Sequence, residues 1–199
     1  MSTTTSNAYN TYFDSEYTGY NRAEADTHAD TSAVGKDALI VLDTGQTVSV
    51  HPFTEGLQHL EDVPIVTGAI AFACPTTLNT YILFIHEALY IKSLKNHLIC
   101  PAQVRHNGVT FNDTPLAHID PDKRCSADHS IVTQGMHIPL RLDGVISYFQ
   151  CRKPTLEEVQ SDRNTIHIHL TSSAPWNPKD PGFSQVEDSL RATEQRSLQ

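Results

Sequence analysis

The sequence predicts a mainly β domain, an antiparallel closed or partly open barrel with one or two short helices and disordered tails. Three observations carry this. Short β-branched and aromatic runs recur through the middle of the chain, turn residues separate them, and only two segments show helix-start chemistry. The 199 residues suffice for one domain of ordinary size, or a smaller one with tails.

Residues 1–22 are rich in Ser, Thr, Asn and Tyr, with almost no aliphatic side chains. Such a segment cannot bury enough surface to offset chain entropy, so it reads as a disordered arm. Residues 21–25 are polar and carry no strand signal. Ala38 to Leu42 is a continuous apolar run ended by Asp-Thr-Gly, as a buried strand ended by a turn would be. Residues 46–50 alternate, with Val48 and Val50 on one face. The runs 63–73 and 80–85 flank Cys74-Pro-Thr-Thr-Leu-Asn79, where Pro and Asn suit the turn of a hairpin.

Residues 88–91, 108–111, 137–142 and 145–149 are shorter strand candidates, and 165–171 alternates as a half-buried strand. A helix is expected over 101–106, stopping before Asn107-Gly108. Another opens at Thr155-Leu-Glu-Glu158, which has capping-box spacing, and runs towards Ser161. The polar tail from 179 to 199 has only Val186 and Leu190 to support a short, fraying helix. The folded domain is therefore 23–178. Its expected core includes Leu39, Val41, Ile65, Ile82, Phe84, Leu89, Leu98, Ile138, Leu140 and Ile146, with Tyr81, Tyr90, Tyr148 and Phe149 as further filling.

Lys plus Arg number 14 and Asp plus Glu 23, a formal net charge of −9. This acidic balance disfavours direct nucleic-acid binding, which runs on phosphate contacts. Lys92, Lys95 and Arg105 make one local cationic cluster, read as a solvated helix face. Apolar runs are far shorter than the roughly 20 residues of a spanning helix, and the N-terminus has no signal-peptide pattern. The expectation is a cytoplasmic protein without membrane contact, its four scattered cysteines reduced. Eleven histidines can offset the negative charge on protonation, so solubility should fall near pH 5.

Asp43-Thr44-Gly45 is the sharpest local motif. A strand delivering an aspartate to a tight turn is aspartic-peptidase chemistry, in which two carboxylates share one proton and activate water. Asp-Thr-Gly is equally ordinary turn chemistry. His167 and His169, two apart on one strand face, could chelate a metal with a third ligand, although a polar outer face explains them more simply. Trp176 reads as an anchor docking a tail. No cofactor or metal is called for.

The segment Asp26-Thr27-His28-Ala29-Asp30-Thr31 resembles the active-site loop of retroviral-type aspartic proteases, with His28 where Gly is expected. Four further stretches widen the likeness: LDTGQTVSVHPF, TYILFIHEALYIKSLKNHLICPAQVRHNGVTFNDTP, IPLRLDGVISYFQCRKPT and HLTSSAPWNP. Together they resemble the protease region of copia-type retrotransposon polyproteins over residues 26–178, with Leu89, Tyr90, Leu94, Leu98 and Gly108 on the family pattern. The resemblance implies a retropepsin-like barrel that cleaves its own polyprotein through a dyad formed in a homodimer. It places the catalytic aspartate at Asp26, with Thr27 and His28 beside it, and leaves Asp43 as the alternative. His28 and the lack of flap glycines other than Gly68 near residues 66–85 support a second reading, a catalytically inactive interaction or structural module.

Overall fold

The computed structural model describes residues 21–51, 59–133, 135–161, 163 and 165–197. In chain order the elements are β1 (Asn21–Ala25), β2 (Ala33–Val34), β3 (Leu39–Val50), β4 (Leu60–Ala73), β5 (Thr80–Tyr90) and β6 (His97–Ile99). Then follow α1 (Pro101–His106), β7 (Thr110–Asn112), β8 (Ser130–Thr133), β9 (Met136–Pro139), β10 (Arg141–Asp143) and β11 (Ile146–Cys151). The chain continues through α2 (Leu156–Gln160), β12 (Thr165–His169) and α3 (Gly182–Ser197). Strand exceeds helix, 44% against 19%, so the fold is mainly β as the sequence predicts.

The larger sheet runs β10-β11-β1-β6-β2-β5-β4-β3, with β12 also on β5; the smaller is β7-β8-β9. Neither closes into a barrel. The chain leaving β11 meets β4 at one isolated bridge, Ala71 with Arg152, rather than along a ladder. Nor is the sheet purely antiparallel: β1 with β6, β2 with β5 and β12 with β5 are parallel pairs.

Residues 21–25, polar and unmarked, form the strand β1. The cause is tertiary. β1 lies between β11 and β6, with Ala23 fully buried. Its charged residues are satisfied on the sheet: Arg22 pairs with Glu24 at 2.7 Å and Asp143 at 2.6 Å, and Asn96 donates to Glu24 at 2.7 Å. The ladder and these pairs outweigh a weak intrinsic preference.

The run from Ala38 is buried only at its start. Ala38 is covered, Leu39 and Ile40 are half-buried, and Val41 and Leu42 are exposed at 44% and 58%. β3 ends the sheet order and extends with β4 as a long hairpin, so apolar residues along it lack a second layer. Ile146, also expected inside, is 41% exposed at the β10–β11 hairpin. Ile82, Phe84, Ile138 and Leu140 are core residues as expected, whereas Leu39, Ile65, Leu89 and Leu98 are half-buried. The main core gathers Ile70, Leu83, Ile85, Ile99, Phe111, Ile131 and Phe149 from both sheets.

Both short helices form where expected. α1 starts with Pro101 at its first turn, and α2 has the full capping box: Thr155 accepts from Glu158 N, and Glu158 accepts from Thr155 N. Arg152 clamps the Glu158 carboxylate through both terminal nitrogens, at 2.8 and 2.5 Å. The tail, expected to be polar and disordered beyond a short fraying helix, is α3, 16 residues long. Asp180 receives Gly182 N at 2.7 Å and Glu187 pairs with Arg191 one turn on at 2.8 Å, which supports helix locally. Its Val186 and Leu190 stay exposed, but Phe183 packs against Trp176 and His106, with ring centroids 5.7 and 5.4 Å away. Deleting the chain after Phe183 should therefore cost less than about 1 kcal/mol. A melting temperature lowered by more than roughly 5 °C would show that the helix is docked. The expected arm over 1–20 lies outside the described residues.

Candidate functional site

β1 and β2 pair with opposite edges of β6, so the intervening loop must arch over the C-terminal end of β6. That loop carries Asp26, Thr27 and His28. Its ends are tied down: Asp26 N donates to Ile99 O at 3.0 Å, and Cys100 N donates to Ser32 Oγ at 3.0 Å. The buried Gln103 on α1 accepts from Ser32 N at 3.0 Å and donates to the carbonyls of His86 and Glu87 at 3.3 Å each. The β6–α1 junction thus acts as a pedestal. Burial is the main cause that raises the Cys100 thiol pKa, with the negative charges of Asp30 and Asp26 adding to it.

Within the loop, Asp26 Oδ1 accepts from His28 N at 3.0 Å and from Ala29 N at 3.1 Å. This Asx turn orients the carboxylate with main-chain donors. Among the described residues Oδ2 accepts no hydrogen bond. Thr27 and His28 are exposed. His28 is not among the residues with positive φ, so its backbone does not demand glycine. Nearby, Trp176 Nε1 donates to Asp30 O at 2.8 Å and Trp176 N to Glu87 Oε2 at 3.4 Å. Trp176 does anchor the C-terminal segment, and it does so on this loop.

Asp43 sits elsewhere. Asp43-Thr44-Gly45 makes a bulge within β3, with Gly45 at φ 74°, its N–H donating to Asp43 Oδ1 at 2.9 Å, and Thr44 Oγ1 donating to Ile65 O at 2.7 Å. Asp43 Oδ1, Thr44 Oγ1 and the positive φ of Gly45 all serve the turn. No hydrogen bond links Asp43 to the Asp26 loop.

The histidine pair does not converge on a point. His167 Nε2 bonds to Glu158 O at 2.9 Å, while His169 Nδ1 meets His86 Nε2 at 2.7 Å. The Phe84 ring lies beside both, with centroids 5.3 and 5.1 Å away. No group of three His, Cys, Asp or Glu that could hold a metal occurs among the described residues. His86 was not legible as a partner because β12 reaches β5 only through a parallel pairing 85 residues apart in sequence, Thr165 opposite Thr80 and so on to His169 opposite Phe84. Burial, and then the charge of His169, hold the His86 pKa below the ordinary imidazole value.

The expected cationic cluster is split. Arg105 on α1 turns to Phe111 O and pairs with Asp113 at 2.9 Å, while Lys92 and Lys95 lie in the β5–β6 loop, not on a helix. No helix among the described residues is long and apolar enough to cross a membrane. No protein-family profile matches this chain, and neither a curated protein nor a solved structure matches it.

Proposed function

We propose that this chain is an aspartic-peptidase-like domain of a copia-type retrotransposon polyprotein, retropepsin-like in type, with Asp26 as its acid. The observation that supports this most is the Asp26 loop. A carboxylate leaves the end of β1 over the β6–α1 pedestal, one oxygen held by two main-chain N–H groups and the other open to a ligand among the described residues. Thr27 and His28 flank it on the exposed side, and Asp43 serves its own turn. A single such carboxylate per chain makes no dyad, so activity requires a homodimer in which two loops face each other and share a proton. The substrate is a polypeptide, in the first place the element's own polyprotein.

An inactive interaction module is the second reading, favoured by Trp176, which ties the C-terminal segment to Asp30 beside the loop. Autoproteolysis and peptide cleavage near pH 5, with and without pepstatin, separate the two. Asp26→Asn should lower cleavage by about 100-fold or more while the fold persists, because Asn keeps the shape and loses the titration. Asp43→Asn should leave the chemistry alone and weaken only a turn. The reverse pattern moves the acid to Asp43. Absence of pepstatin-sensitive cleavage in a chain that is monomeric at micromolar concentration sinks the peptidase reading and leaves the module.

A further inference from the structure

The parallel pairing of β1 with β6 brings their N-terminal ends together, opposite the end that carries the Asp26 loop. A cavity of about 520 Å³ opens there. Its lysines come from three separate parts of the chain: Lys36 after β2, Lys92 and Lys95 between β5 and β6, and Lys153 after β11. Among the described residues none of these four ammonium groups forms an ion pair. The one carboxylate among the described residues that lines the cavity, Asp37, accepts from Asn21 Nδ2 at 3.1 Å. Four cations around one carboxylate in a chain of net charge −9 are a concentration of positive charge that composition conceals.

The backbone holds this arrangement. A Cβ at Gly35 would lie 2.4 Å from Leu94 O, so only glycine lets the β5–β6 loop close onto the turn that bears Lys36. Ile91 N donates to Val34 O at 3.0 Å, Asn21 Nδ2 also donates to Lys95 O at 2.5 Å, and Lys153 Nζ donates to Lys36 O at 3.1 Å. Three distant segments are locked so that their four lysines line one space.

We propose that this cavity binds a compact anion carrying two or more phosphate groups. Lysine presents point charges with rotatable donors, which suit phosphate oxygens arrayed in three dimensions. Among the described residues no arginine lines the site, so the bidentate fork that planar carboxylates favour is missing there. Among the described residues no aromatic lines it either, so they offer a nucleobase or a single strand no stacking platform. The volume is that of a small-molecule site. The acidic remainder of the chain does not cancel the attraction, because charges beyond a Debye length of roughly 8 Å are screened at physiological salt. The site is independent of the peptidase reading.

Titration calorimetry of the full chain with tripolyphosphate tests this. Binding should weaken steeply with added salt, and Lys92→Ala with Lys95→Ala should lower affinity by about tenfold or more, the scale of lost charge-assisted hydrogen bonds. Lys123→Ala, at an exposed lysine 3.9 Å from Asp120 and outside the cavity, should leave affinity within about twofold. Lys92 and Lys95 are exposed, so the double variant should fold, and matching circular dichroism confirms it. Unmeasurable binding at low salt, or an affinity that the double variant does not change, overturns the site. Sulfate binding as tightly as tripolyphosphate overturns the multivalent ligand, and tighter binding of a single-stranded RNA oligonucleotide overturns the compact one.

Discussion

Unfolding free energy should fall by about 3 kcal/mol between pH 7 and pH 4 through His97 alone. The ring is fully buried on β6, and burial lowers its pKa from 6.5 to about 4 despite the opposing pull of the Asp37 charge. Gly35 N donates to its Nδ1 at 3.1 Å, so the neutral ring carries its proton on Nε2, which has no partner among the described residues. Between these pKa values the unfolded chain takes up a proton that the folded chain refuses. Stability is thus complete above pH 6.5 and declines as pH falls towards 4. The lowered pKa values of His86 and His129, both mainly from burial, act in the same sense. Glu158 works in a separate window. The Arg152 hydrogen bonds depress its pKa from 4.5 to about 2, so its contribution is present above pH 4.5 and disappears below that, as pH falls through 2. Urea unfolding at a series of pH values reads both. His97→Asn keeps an acceptor for Gly35 N without titrating, and should flatten the slope between pH 6.5 and 4. A wild-type stability level across that range would show that the ring is not buried neutral. The result bears on peptidase assays as well, since pH 5 lies inside the window where the fold weakens.

Phe149→Ala should cost about 3–5 kcal/mol, the range for a large buried aromatic. Phe149 is 1% exposed on β11, pairs with Ala23 of β1, and meets the Phe72 ring edge-on with centroids 6.1 Å apart. It shares a core with Ile138 and Leu140 from the β9 end of the smaller sheet, so its removal opens a void between two sheets that cannot easily collapse. That loss is a large share of the 5–15 kcal/mol typical of a domain. Val145→Ala, on the same hairpin but 93% exposed, should change stability by less than about 0.5 kcal/mol. Chemical denaturation of the two variants checks the contrast. A Phe149→Ala loss below about 1 kcal/mol would mean that β11 does not close the core.

Local chemistry written in adjacent residues was legible before any coordinates. The capping box at Thr155 and Glu158, the proline-led helix from Pro101, and the 74–79 turn each need only neighbours in sequence, and each forms as read. The Asp-Thr-Gly turn at 43–45 was equally legible as a turn, and its Asp43 and Thr44 side chains hydrogen-bond within that turn and to Ile65 O. Burial was read less well. Val41 and Ile146 are as apolar as Ile82 and Ile138, yet only the latter pair is covered, because coverage depends on whether a strand is central or at an edge.

By itself, then, the sequence determined a mainly β domain, its two short helices and the aspartate-centred loop that follows residue 25. Only the tertiary structure decided that residues 21–25 are a strand, that the sheet stays open and mixed, and which distant side chains meet. The physical reason is common to all three. A strand obtains its hydrogen bonds and its cover from partners far along the chain, so β1 is made by β6 and β11, and the meeting of His86 with His169 by a parallel ladder. The four lysines are gathered the same way, through a loop that closes only because residue 35 has no Cβ.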